Sequence, residues 1–520
     1  MISSRASLAV LTLGLAGCPQ AGPVLAPEAV VVLEDWGPRL EPEQDEGEAS
    51  LLEPGTAVVV PWATRRLPSN AGFDPLVPRL APRGLSGPLW LSYDEHGEPF
   101  ADPGSVTAEL PAHHPHARPR RFQPIEDPAR ALVPFYEALA RTDAEQPGAI
   151  TRVLHLGDSS IGRDTLPHAV RSRLQARFGD GGAGFVLLDR YIRNVDSKLT
   201  RIRSNDEWDT CYIRNRCDAE GFYGLGGHVF ESEGGAVSWL SPREDEVRRT
   251  SRVELWFGAQ PGGGELQMRI DEGETVRLST EADDLVDRWH AARVPPGPHA
   301  LTVTAAGGGP VRVYGAVLET DGPGVVWDAV SMYGAFTKRL RGYDAEHLAR
   351  QVRRREPDLL VLSFGGNDLR RLVAGAVDTA GYAREYADVL QRLRADQPSL
   401  PCLMIGVIDH GRSGALTVSR AAVRTMIETQ REIAKDRGCA FFDSVAAMGG
   451  AGSLRRWAKR DPPWAEADLK HLSPEGHEWM GTLIYRALTA GYESYRRGPI
   501  PARRSNDEGA PVVDRSPSAR

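Results

Sequence analysis

Residues 152–160 read Arg-Val-Leu-His-Leu-Gly-Asp-Ser-Ser, and this stretch decides the fold. Val153, Leu154 and Leu156 form a short apolar run with no charge after Arg152, as in a central parallel strand buried on both faces. Gly157 frees the backbone to turn tightly. Asp158 and Ser159 then fall at the carboxyl end of the strand, where open α/β sheets place their ligands. A serine there becomes a nucleophile if a base can take its proton.

On either side the pattern alternates between strands and helices. Asp127 is placed to cap a helix with Pro128 at its first position, and Leu132, Phe135, Tyr136 and Leu139 follow at helical spacing. Beyond the serine turn, Thr165 to Phe178 reads as a helix ended by Gly179 to Gly184. The rhythm then changes to period two: Val253, Leu255, Phe257; Leu266, Met268, Ile270; Leu301, Val303; Val311, Val313, Val317. Gly/Pro turns separate these runs, which together predict a small β-sandwich. Helices and strands resume with a helix over Asp344 to Arg355 and a strand over Asp358 to Ser363. Cys402 to Val407 reads as a strand, Cys439 to Phe442 as the last strand, and Pro474 to Ser494 as the final helix. The fold class is therefore α/β, a parallel sheet with helices on both faces. One domain spans 125–190 and 321–498, and a β-sandwich at 191–320 is inserted into it.

The chain has 520 residues, 41% hydrophobic and 25% charged, with a formal net charge of −8. That length calls for more than one core. No long basic run is present, Arg353 to Arg355 being among the longest, so nucleic acid is not an expected partner. Met1 to Arg5 is short and positive, Ala6 to Leu15 is apolar, and Leu15-Ala16-Gly17-Cys18 follows, the layout of a secretory signal in residues 1–18. Its last four residues resemble the lipobox of bacterial lipoproteins, which implies lipidation of Cys18. The protein is then expected to be exported and held in the bacterial cell envelope by its lipid, facing the periplasm. Residues 19–124 are Pro-rich and take no assignable fold. His113, His114 and His116 lie there without a second cluster, and no metal site is expected. Residues 499–520 read as a disordered tail. Export permits disulfides: Cys211 and Cys217 are spaced to close a small loop, while Cys402 and Cys439 either pair or are both simply buried.

Three predicted loops carry polar residues that a core does not need. The first holds Ser159, the second Asn367 in Gly365-Gly366-Asn367-Asp368, and the third is Asp468-Leu469-Lys470-His471. An imidazole is the usual base for a serine hydroxyl. An acid three residues before it can hold its other nitrogen. The backbone N–H of Ser159 and the Asn367 amide are suitable donors to a developing oxyanion. Asp158 and Asp368 read as structural carboxylates, and His155 as a satisfied core histidine. His477 reads as surface or packing, and Trp457 and Trp464 either pack the third loop or stack on sugar.

These motifs, in this order, resemble blocks I, III and V of the SGNH (GDSL) hydrolases, with Gly334 in Ser-Met-Tyr-Gly-Ala-Phe matching the glycine of block II. The resemblance implies a flavodoxin-like three-layer α/β/α sandwich. It implies Ser159 as nucleophile, His471 as base and Asp468 as its orienting acid, with an oxyanion hole from Ser159, Gly334 and Asn367. Ser160 departs from the family, where leucine or histidine is common. Ile161 rules out a GxSxG elbow. An inserted carbohydrate-binding-like β-domain resembles exported O-acetylesterases of peptidoglycan and other polysaccharides. That implies an O-acylated envelope glycan as substrate, with no metal or cofactor. Acetyl transfer by the same triad, and a non-enzymatic lipid-anchored glycan-binding protein, are the alternatives.

Overall fold

The computed structural model describes residues 122–498, apart from 191, 193–194, 244–248 and 414–415. The signal segment with Cys18, the region through His113, His114 and His116, and the tail 499–520 lie outside the described residues. Among the described residues no helix is long and apolar enough to cross a membrane.

Five strands form the parallel sheet: β1 (Ile150–Gly157), β2 (Gly324–Ser331), β3 (Leu359–Ser363), β4 (Cys402–Ile405) and β5 (Ala440–Phe442). Their order is β2-β1-β3-β4-β5, every pair parallel, which is the flavodoxin-like winding. The main helices are α1 (Val133–Asp143), α2 (Thr165–Phe178), α3 (Ala345–Arg355), α4 (Gly366–Val373), α5 (Thr379–Leu393), α6 (Arg420–Asp436) and α7 (Pro474–Arg497). Side chains alternate across the sheet. Val153, Trp327, Val361 and Leu403 pack with α1, α2 and α7, whereas Leu154, Leu156, Leu362 and Met404 pack with α3, α5 and α6. Burial on both faces is why these strands are almost continuously apolar.

Several sequence expectations shift. Gly324 to Ser331, left without an element in the sequence reading, is a full strand in register with β1 from Ile150–Gly324 to Gly157–Ser331. Asp127 accepts the N–H groups of Ala131 and Leu132, and α1 starts only at Val133. The 190/191 boundary also moves. Gly182–Val186, placed in the hydrolase part, is a strand that pairs with Val311–Glu319 of the sandwich. Its glycines permit close approach rather than simply ending a helix. Gly182 has φ +110°, and a Cβ there would lie 2.6 Å from Glu319 Cα. Gly184 has φ +77°, and a Cβ there would run into the Asp328 carboxylate. The sandwich itself is a six-stranded sheet facing a five-stranded one, antiparallel wherever strands pair. Phe230, Leu255, Leu266 and Val303 are among the residues buried in its core.

Both cysteine pairs are disulfides. Cys211–Cys217 closes a loop in the insert, and Cys402–Cys439 ties the start of β4 to the residue before β5.

Insert and sheet are joined through buried charge. Arg355, at the end of α3, donates to both oxygens of Asp328 in β2 (2.6 and 3.1 Å) and to Glu319 in the sandwich (2.7 Å). Arg152 of β1 makes a two-pronged contact with Glu319, 3.0 Å in each arm. Asp328 also accepts the Phe185 N–H at 2.7 Å. Burial alone would raise the Glu319 carboxyl, but Arg355 and Arg152 outweigh it and hold it at about 2. Removing one partner of such a network strands the others in low dielectric. Arg355→Met is therefore expected to cost about 3–5 kcal/mol in urea unfolding, and a loss below about 1 kcal/mol would mean the network behaves like surface pairs. The depressed Glu319 contributes stability that is complete above its unfolded value near 4.5 and is lost as pH falls toward 2. The cost of Arg355→Met should accordingly shrink over that acid window.

Candidate active site

The sheet sets the site by bringing three strand ends to one level. Gly157 stands in register with Ser331 of β2 and Ser363 of β3. A Cβ at Gly157 would lie 3.1 Å from Ser363 Cβ and 2.9 Å from Ile161 Cδ1, so a larger residue would have to displace the Ile161 side chain. Asp158 then caps the short turn Ser159–Ile161, its Oδ1 accepting the Ser160 N–H at 2.9 Å. Its own N–H donates to Ser363 O, and its carbonyl accepts Ser331 Oγ–H at 3.0 Å. The serine is thus presented by a loop bonded to both neighbouring strands.

Ser159 Oγ lies 3.2 Å from His471 Nε2, although 312 residues separate them. His471 Nδ1 lies 2.6 Å from Asp468 Oδ2. The other Asp468 oxygen accepts the N–H groups of Lys470 and His471 at 2.9 and 3.0 Å. This tight turn carries Leu469 at φ +54°. Partial burial opposes ionisation of Asp468, but the His471 ring and the two N–H groups prevail and hold its carboxyl well below the usual range. An ionised carboxylate only accepts hydrogen bonds. Nδ1 must then carry the imidazole proton, which leaves the Nε2 lone pair facing the serine hydroxyl.

Gly334 follows β2 in a left-handed conformation, φ +75°. Asn367 lies in the first turn of α4, just after β3. Its Nδ2 donates to Ala335 O at 3.1 Å, which ties it to the Gly334 loop. Asp368 holds that loop too. Fully buried, it accepts the Thr337 N–H and hydroxyl, each at 2.8 Å, and an Arg371 N–H at 3.0 Å. Its contacts, like those of Asp158, are structural.

The remaining histidines have other surroundings. His155 is buried in β1. Trp327 Nε1 donates to its Nδ1 at 3.2 Å and its Nε2 lies 2.7 Å from Ser363 Oγ, while burial pushes its pKa down to about 3. His477 is held down to about 4, first by burial and then by His471 and Arg163. Trp457 and Trp464 are buried and meet edge to face at 5.4 Å, so they pack the third loop and form no open platform for sugar.

Sequence reasoning gave no role to four contacts. Lys470 Nζ donates to Asn367 Oδ1 at 3.2 Å, which fixes the amide with its NH2 toward Ala335. His410 lines the cavity beside Ser159, its Nδ1–H bonded to Ile408 O at 2.8 Å. From the insert, Tyr212 OH donates to Tyr333 O at 2.7 Å, and Arg214 reaches within 3.0 Å of where a Gly334 Cβ would be. Only Lys470 left a signal, its place next to His471. The cavity itself holds about 60 Å³ and is walled by Phe364, Val407, Ile408, Leu472 and Met480 beside the polar groups.

A profile of the GDSL-like Lipase/Acylhydrolase family matches residues 290–479. The match takes in Gly334, Asn367, Asp468 and His471 but not the first βα unit, so Ser159 enters by geometry. No curated protein is matched significantly. Among solved structures, a peptidoglycan O-acetylesterase is similar at 22% identity over 71% of this chain and 99% of its own, with a TM-score of 0.61. A family two carbohydrate esterase from Cellvibrio japonicus matches at 11% identity, covering 57% and 99%, with a TM-score of 0.24. A lipase/acylhydrolase from Enterococcus faecalis matches at 20% identity, covering 32% and 77%, with a TM-score of 0.25. Only the first carries a structural argument, and that argument concerns the fold.

Asn367→Ala is expected to lower kcat on a small ester by ~10²–10³, the usual cost of one oxyanion donor. Lys470→Met, which releases the amide, should lower kcat with KM little changed, and Lys470→Arg should restore part of the loss. Wild-type kcat in Asn367→Ala would exclude the amide from the reacting centre.

Proposed function

We propose that the chain is a serine esterase of the SGNH (GDSL) type, removing O-acetyl groups from an envelope glycan such as peptidoglycan. The observation that carries the reading is the relay of Ser159 Oγ to His471 at 3.2 Å and His471 to Asp468 at 2.6 Å. In this reading Ser159 Oγ attacks the acetyl carbonyl while its proton passes to His471 Nε2. The Ser159 and Gly334 N–H groups and the Asn367 amide hold the oxyanion. His471 then protonates the departing sugar oxygen, leaving acetyl-Ser159. A water that gives its proton to His471 releases acetate, and the returned proton restores the serine.

The cavity beside Ser159 supports a short acyl group. At about 60 Å³ it is far smaller than the roughly 300–1,000 Å³ of pockets for drug-sized ligands. The peptidoglycan O-acetylesterase that shares the fold points to the same ester class. The lipobox-like Leu15 to Cys18 supports anchoring in the envelope, and Cys18→Ser should move the protein from the membrane to the soluble fraction. Equal membrane recovery of both forms would remove the lipid anchor.

Wild-type protein should release acetate from O-acetylated peptidoglycan and should cleave p-nitrophenyl acetate at least about tenfold faster than the octanoate, because a longer chain overfills the cavity. Ser159→Ala should reduce both activities to background. Activity should fall in acid, because a histidine base must be neutral to take the serine proton, whereas the Asp468 carboxyl is held well below the usual range. Turnover that survives in Ser159→Ala, or a pH profile flat down to 4, would sink the mechanism.

A further inference from the structure

On the far side of the Asp468–His471 turn lies a second, larger cleft of about 460 Å³, in the size range of ligand sites. Its wall is cationic. Arg420, Arg455, Arg456 and Lys459 line it, and no carboxylate does. Arg420 is the first residue of α6, and Arg455 and Arg456 belong to the short helix Ser453–Trp457. Leu469, from the catalytic turn itself, forms part of the floor.

The cations converge rather than merely sharing a surface. Gly452 has φ +81°, and a Cβ there would lie 3.0 Å from Arg420 Nη2 and 3.4 Å from Arg456 Nη1. Two guanidinium groups are therefore drawn over one glycine. Arg456 is fixed in place by neutral acceptors, Gly449 O at 2.9 Å and Ser453 Oγ at 2.8 Å. Arg420, Arg455 and Lys459 form no ion pair with any described carboxylate. All four cationic side chains are exposed, so an anion in solution can reach them. Like charges held close repel one another unless an anion joins them. In a chain of net charge −8 such a cluster also concentrates local positive potential. The cleft adjoins the reacting centre. A Cβ at Gly411 would lie 3.1 Å from Leu469 Cβ and 3.6 Å from Arg455 Nε, while the preceding His410 lines the Ser159 cavity.

We infer that this cleft is an anion-binding subsite, holding a carboxylate or phosphate group on the same glycan that carries the ester. Resting on the glycan-ester reading above, the inference adds that the substrate is acidic and that its charge sets its position on the enzyme. Guanidinium groups suit this task because they pair with carboxylate or phosphate through two parallel hydrogen bonds.

The test uses the full-length protein with Ser159→Ala, so that bound glycan is not consumed. Affinity is measured for a neutral oligosaccharide, for its uronic-acid counterpart and for its phosphorylated counterpart. At least one acidic probe should bind about tenfold tighter than the neutral parent, and the advantage should weaken with salt. Which probe gains identifies the anion. Arg420→Ala with Arg455→Ala should abolish the gain, and Arg420→Lys with Arg455→Lys should keep part of it. In the otherwise wild-type enzyme, the same double alanine variant should change turnover of p-nitrophenyl acetate by less than about twofold, since neither residue lines the Ser159 cavity. Equal binding of all three probes, or a gain that survives in the alanine variant, overturns the subsite. A wild-type enzyme inactive on the small ester would sink the esterase reading and leave the binding result standing.

Discussion

The site depends on the parallel pairing of β1 with β2 on one side and β3 on the other. That pairing puts Gly157, Ser331 and Ser363 at one level of the sheet. Because parallel neighbours all end in the same direction, the loops bearing Ser159, Gly334 and Asn367 leave the sheet side by side. Gly157 is closely packed at that level. A Cβ there would press on Ser363 and on the Ile161 side chain. The serine is positioned by backbone and packing before any catalytic contact is made.

The insert is part of that support. Its strand Gly182–Val186 lies between the two sheet systems, and Asp328 of β2 bonds its Phe185 N–H. Arg355 and Glu319 then lock sandwich to sheet with charges that water does not reach. From this base the Cys211–Cys217 loop extends Tyr212 to the backbone beside Gly334. A domain that interrupts the chain between the first and second catalytic loops thereby shapes the second. It also separates the Ser159 unit in sequence from the rest, and the family match begins only at residue 290.

What was legible in the sequence followed from local rules. β1 and β3 are short apolar runs, α2 and α7 carry start or stop signals, and the polar loops stand out beside them. β2 was missed because Gly324-Val-Val-Trp-Asp carries an acid in mid-strand. That acid is tolerated only because Arg355, distant in sequence, neutralises it. Gly182–Val186 was missed for a related reason. Its glycines read as a helix stop, whereas they serve a close approach that only the tertiary fold creates. The cationic cleft was not read because Arg420 is remote in sequence from Arg455, Arg456 and Lys459, and only the tertiary fold brings it to them.

Residue type alone would not have separated the base from the other histidines of the fold. His155 loses its proton readily because it is buried, and both its nitrogens are already committed to Trp327 and Ser363. His410 is buried with Nδ1 tied to a carbonyl, and burial again lowers its pKa. His477 is pushed down by burial and by neighbouring positive charge. His471 differs in being only partly covered, 31% exposed, with an ionised carboxylate on one nitrogen and a hydroxyl on the other. It can therefore accept a proton from the serine at little electrostatic cost, because Asp468 is already charged to receive the imidazolium. The same contrast sorts the aspartates. Asp368 is enclosed and spends its oxygens on Thr337 and Arg371, which leaves it nothing to offer a reacting group. In the proposed mechanism the chemistry therefore falls to His471 and Asp468, the pair whose environment leaves charge free to develop at the rim of the sheet.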